Sequence, residues 1–118
     1  MHGFVIEYSS QEASNLTRVN HRLFGRICQQ SYRGRKYNYY IPGLLDNVRF
    51  FRIKPCKYFL NKPIDIEFLK EIVPDVEIFE KNMEIDEDSL LTGRMFWHEK
   101  ARKKGIRLVS KHGRRAYI

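Results

Sequence analysis

Cysteine is scarce in this chain of 118 residues: Cys28 and Cys56 are the whole complement, and no second pair stands beside them. A disulfide scaffold and a cysteine-based zinc site are thereby excluded as organising devices, and reduced thiols are the expectation. Glycine and proline are also few, seven and four, which removes collagen-like and low-complexity readings. Apolar runs such as Tyr58–Leu60 and Ile72–Pro74 are short, against the ~18 to 20 residues that a spanning helix needs, so no membrane association is expected. The opening Met1–Glu7 lacks the charged start, apolar stretch and cleavage site of a signal peptide and reads as a strand, so a cytoplasmic protein is expected.

Motifs for chemistry are missing as well. His2, His21, His98 and His112 form no His-x-His or His-Glu-x-x-His pair, and after His98-Glu99 it is Arg102 that stands where a second ligand would fall. No acid-x-Lys element follows Asp75 as a magnesium-dependent nuclease would use, and neither a P-loop nor a dinucleotide fingerprint occurs. The sequence therefore nominates no catalytic residue, no metal-ligand set and no cofactor.

What residues 13–62 lack is acid: eleven Lys and Arg stand against Asp46 alone. Residues 63–90 reverse this with ten acids and two bases, and residues 91–118 return to nine bases against Glu99. A chain of this length is too short for two ordinary cores, so residues 1–118 read as one domain: a basic β-rich half with a first helix (1–62), an acidic segment (63–90) and a basic helix plus hairpin (91–118). Basic blocks that share a face create a field that attracts phosphates. The acidic stretch 75–90 reads as a solvated face or a surface for a protein partner.

Element signals are regular. Phe4–Tyr8 is rich in strand formers, and Ser9 precedes Glu12 by three residues, the capping-box spacing. Ala13, Leu16, Val19, Leu23 and Phe24 then recur at helical spacing up to Gly25. Residues 27–41 read as a hairpin with its tip near Arg33–Lys36, broken by Pro42-Gly43. Residues 48–54 and 56–60, divided by Pro55, extend it as an antiparallel meander. A helix over 64–73 stops at Pro74, a strand covers 76–80, a helix covers 89–104, and residues 106–118 form a second basic-tipped hairpin. The order βαβββαβαββ predicts an α+β fold, a mostly antiparallel sheet with about three helices packed on it in a single compact domain. Leu16, Leu23, Phe68, Ile72, Ile78 and Trp97 are expected to be largely buried.

The strongest functional signal is Tyr32–Tyr40, where Arg33, Arg35 and Lys36 interleave with Tyr37, Tyr39 and Tyr40. Basic groups neutralise phosphate oxygens, and tyrosine rings stack on unpaired bases. Arg18 and Arg22, one helical turn apart, add a second basic strip, and Lys103, Lys104, Lys111, Arg114 and Arg115 add a third with the outline of a recognition helix and wing. The favoured function is binding of RNA or of single-stranded or structured DNA through phosphate contacts and stacking, with little base specificity. The alternatives are a small nuclease using His21 as base or the acidic cluster, and an interaction subunit of a nucleoprotein complex docking through the acidic segment.

Overall fold

The computed structural model describes residues 1–9 and 12–109. In chain order the elements are β1 (His2–Glu7), α1 (Ala13–Phe24), β2 (Arg26–Tyr32), β3 (Arg35–Ile41), β4 (Arg49–Lys54), β5 (Lys57–Leu60), α2 (Glu67–Lys70), β6 (Glu77–Asn82), a 3-10 turn (Glu87–Ser89), β7 (Leu91–Thr92), α3 (Gly93–Lys103) and β8 (Leu108–Val109). The fold is α+β, as the element order implies, but its strands divide into two sheets. The larger sheet is antiparallel with order β6-β1-β5-β4-β7, and the smaller has order β2-β3-β8 with β8 parallel to β3.

The expected meander stops at Ile41. Pro42 has no N–H to give a ladder, and the backbone of Gly43 lies so close to the end of α1 that an added Cβ would stand 2.4 Å from the Gly25 nitrogen. The chain turns there and enters the other sheet, where β4 pairs with β5 across a tight turn that holds Cys56 at φ 65°.

Strand alternation sets which side of the larger sheet each residue joins. Ile6, Tyr8, Tyr58 and Leu60 face the main core, where Val19 and Leu23 of α1 meet Leu45, Leu69, Ile72, Val73 and Val76. Burying Val19 and Leu23 contributes on the order of 1.5–3 kcal/mol each. Val5 and Phe59 point to the opposite face, where Leu90, Met83 and Ile85 cover them. The acidic connection after β6 thus lies across the sheet face opposite α1. A third cluster of Tyr40, Ala101 and Leu108, with Trp97 against it, joins the smaller sheet to α3.

Several sequence expectations are corrected. The capping box is not made: Glu12 occupies the N-cap without a side-chain cap, and Ser9 instead bonds the Asp75 carboxylate through its N–H at 3.0 Å and through its hydroxyl. The helix over 64–73 contracts to one α-helical turn, Glu67–Lys70, whose first amide is held by the Asp65 side chain. In that tighter geometry Leu69, Ile72 and Val73 turn inward, and Phe68 is left 55% exposed. Residues 89–104 do not form one helix, because Leu91 and Thr92 pair with Phe50 and Arg49; α3 starts only at Gly93, capped by the Thr92 hydroxyl accepting from the Met95 amide at 3.1 Å. Leu23 and Ile72 are buried as expected, while Leu16, Ile78 and Trp97 are half-buried. Of the expected C-terminal hairpin, the residues after Val109 lie outside the described residues. Cys28 and Cys56 are both free thiols.

Candidate functional site

The C-terminal end of α1 is fixed by partners for its last four carbonyls, which a helix cannot satisfy itself. His21 accepts from Gly25 N–H at 2.9 Å, Arg22 from Leu44 N–H at 2.8 Å, Leu23 from Leu45 N–H at 2.8 Å, and Phe24 from the Trp97 indole N–H at 2.8 Å. Gly25 has φ 76°, and a Cβ there would stand 2.1 Å from the Ile41 carbonyl oxygen. His21 and Arg22 sit in this last turn, where the helix dipole favours positive charge. The result is a rigid ridge with Arg18, His21 and Arg22 along it.

A hollow lies on each side of that ridge. One, of about 710 Å³ and widely open, is lined by Arg18, His21, Arg22 and Arg26 together with Pro42–Leu44 and Phe68. Arg22 is partly engaged, donating to the Phe68 carbonyl at 2.8 Å and lying 3.6 Å from Glu71. The other, of about 490 Å³, is walled by Phe24, Phe50, Phe96, Trp97 and Tyr58 and bordered by Thr17, Asn20, His21, Arg52 and Lys100. Phe24 meets Phe50 and Tyr58 at 5.0 Å between centroids, and Phe96 meets Trp97 edge-on at 5.2 Å. The Lys100 ammonium lies over the rings of Trp97 and Phe96, 5.1 and 5.7 Å from their centroids. Burial raises the Tyr58 hydroxyl in this wall and the Tyr8 hydroxyl beyond it above the usual phenol range, and the Arg52 charge opposes that shift in both.

The β2–β3 hairpin forms as expected, with Arg33 and Gly34 both at positive φ, the type I′ geometry that suits strand twist. Arg33, Arg35 and Lys36 are exposed at the tip, Tyr32 is 61% exposed, and the Arg33 guanidinium lies over the Tyr32 ring at 5.2 Å. Tyr37 and Tyr39 are half-buried on one face of β3. Tyr40 points the other way and is corrected as a stacking residue. It is 2% exposed, and its hydroxyl donates to Asp46 at 2.9 Å, because alternation turns it into the cluster beneath α3.

At the C-terminal end of α3, Lys103 and Lys104 are exposed, with Lys103 3.4 Å from Glu99. Lys36, Tyr37 and Asn38 share a small hollow of about 340 Å³ with Arg107 and Val109, so the tip-side half of β3 and the second basic block meet. Lys111, Arg114 and Arg115 lie outside the described residues. Among the described residues, no group of three His, Cys, Asp or Glu stands close enough together to hold a metal ion.

The aromatic hollow was not nominated from the sequence. Two local signals pointed to it: Phe50 and Arg52 are two apart and so share a face of β4, and Phe96 and Lys100 are one turn apart on α3. No protein-family model, curated protein or solved structure matches this chain.

Proposed function

We propose that the protein binds nucleic acid, either RNA or single-stranded or structured DNA, through phosphate contacts and aromatic stacking with little base-edge specificity. One observation carries this reading. The α1 ridge separates an open groove lined by three arginines and His21 from a hollow walled by aromatic rings and edged by Arg52 and Lys100. A nucleic-acid strand repeats a phosphate and a base, and the ridge offers cationic and aromatic surface side by side. Stacking of each base contributes ~1–3 kcal/mol, and each neutralised phosphate adds about 0.7 to the salt slope of single-strand binding.

Part of the acid is kept from this face. Residues 83–90 lie over the sheet side opposite α1, so their repulsion acts away from the groove, whereas Glu71 stands 3.6 Å from Arg22 at the groove itself. The basic hairpin tip adds a further contact region, and Lys36 links it to the end of α3 through Arg107. A reducing cytoplasm suits the two free thiols.

Titration of labelled single-stranded, duplex and hairpin oligonucleotides at two salt concentrations tests the proposal. Micromolar or tighter binding to at least one of them, weakened steeply by salt, is expected. Absence of binding to all of them at low salt overturns it. Intact oligonucleotide after incubation with and without Mg²⁺ separates binding from a nuclease activity.

A further inference from the structure

We propose that the aromatic hollow between α1, β4 and α3 is a pocket for one unpaired nucleotide, with the base against Phe50, Phe96 and Trp97 and the phosphate at Lys100 and Arg52. This deepens the nucleic-acid reading and rests on it for the claim that the nucleotide belongs to a strand.

The aromatic walls are arranged to receive a ring rather than to close on themselves. Phe50 and Phe96 stand 6.4 Å apart at 63°, and Phe96 and Trp97 stand 5.2 Å apart at 79°. Rings set edge to face leave part of their faces uncovered by one another, and here those rings are half-buried around a hollow of about 490 Å³. That volume falls in the usual range of small-ligand sites, roughly 300–1,000 Å³. The Trp97 N–H is already given to the Phe24 carbonyl, so Trp97 is held in place and offers its ring surface alone.

Charge selects the kind of ring. Lys100 lies over Trp97 and Phe96 as an exposed side chain, so an incoming aromatic ligand displaces it from the rings. A neutral ring would forfeit that cation–π contact without return. A nucleotide returns it, because its phosphate gives the displaced ammonium a new partner beside Arg52 and His21.

The polar edge fits a base. Asn20 is exposed at the border of the hollow, and its carboxamide offers both a donor and an acceptor, with one weak contact from the Tyr8 hydroxyl at 3.4 Å. An amide of this kind can pair with the Watson–Crick edge of a base, which is open only when the base is unpaired. A base inside a duplex has both faces stacked and its edge occupied, so the pocket favours single strands, loops and extruded bases.

Trp97 is the single tryptophan of the chain, so its indole N–H resonance in a nitrogen-proton correlation spectrum reports on this pocket. The four common ribonucleoside monophosphates are titrated one at a time at low salt, with inorganic phosphate as control. At least one mononucleotide is expected to shift the Trp97 resonance saturably in the millimolar range or below, and phosphate alone is expected not to. Thr17→Tyr, which fills the mouth from an exposed helix position, abolishes the shift, and Lys100→Ala weakens binding several-fold while Asn20 and the rings remain. If no mononucleotide moves Trp97 although a single-stranded oligonucleotide binds, the pocket proposal fails and the strand is held by the basic surfaces outside it. If mononucleotides bind and no oligonucleotide does, the pocket stands and the strand reading fails.

Discussion

At the residue scale, the glycines beside α1 show how backbone contact decides where a side chain can exist. A methyl group on Gly43 would meet three backbone atoms, the Gly25 nitrogen at 2.4 Å and the Leu23 and Arg22 carbonyl oxygens at 2.6 and 2.7 Å. None of these can rotate away, so Gly43→Ala is expected to lower stability by roughly 2 kcal/mol or more. Gly34, at the hairpin tip, has nothing within 4 Å of the equivalent position and carries only the penalty of its φ of 77°. Gly34→Ala is expected to cost about 1 kcal/mol. Denaturant unfolding of the two variants measures the contrast, and equal losses would mean that the approach of the 42–45 turn to α1 is not what fixes the ridge. The sequence showed Gly34 within a hairpin tip and Gly43 as a strand breaker. It held no sign of which one touches another segment, since that contact joins positions far apart in the chain.

At the scale of elements, the β2–β3 hairpin is the part most legible in advance. Its strands, its two-residue turn and its exposed basic tip follow from local pattern, because cross-strand pairing and turn geometry depend on neighbours. Changing Arg33, Arg35 and Lys36 together to Ala is expected to weaken binding similarly across sequences and to flatten the salt slope by about 2 for a single strand. Binding isotherms at several salt concentrations give both quantities, and an unchanged slope in the folded triple variant would confine the contacts to the α1 ridge and its two hollows. The tyrosines behave differently from one another. Tyr37→Ala or Tyr39→Ala removes a half-buried ring from the hairpin face, whereas Tyr40→Ala opens the cluster beneath α3 and removes one donor from Asp46, which keeps its ion pair with Arg94 at 3.2 Å. Helices were less legible than this hairpin. The segment 64–73 has helical spacing yet forms one α-helical turn, and Leu91–Thr92 is drawn into pairing with β4 by partners outside its own pattern.

At the scale of the whole molecule, the charge blocks acquire a direction. The first basic block supplies the ridge, Arg52 and the hairpin, and the last block supplies Lys100, which borders the same aromatic hollow as Arg52. The acidic connection is laid over the far side of the larger sheet by Met83, Ile85 and Leu90. Bound nucleic acid is therefore expected to shield Lys36 and Lys100 from acetylation and to leave Lys81, on the edge strand β6, as reactive as in the free protein. Mass spectrometry of tryptic peptides before and after adding a single-stranded oligonucleotide reads this directly. Equal shielding of Lys81 would return the segregation of charge to a role in solubility.

By itself the sequence determined the α+β class, the amphipathic first helix, the basic hairpin and the alternation of charge along the chain, all of which arise from interactions between near neighbours or from composition. Only the tertiary structure decided that the strands divide into two sheets, that Tyr40 is withdrawn while Trp97 lines a hollow, and that Phe24, Phe50, Phe96, Arg52 and Lys100 stand together. The physical reason is that these placements follow from packing between segments up to some seventy residues apart, such as the bond from Trp97 to the Phe24 carbonyl, and local periodicity says which residues are apolar or charged without saying which of them meet.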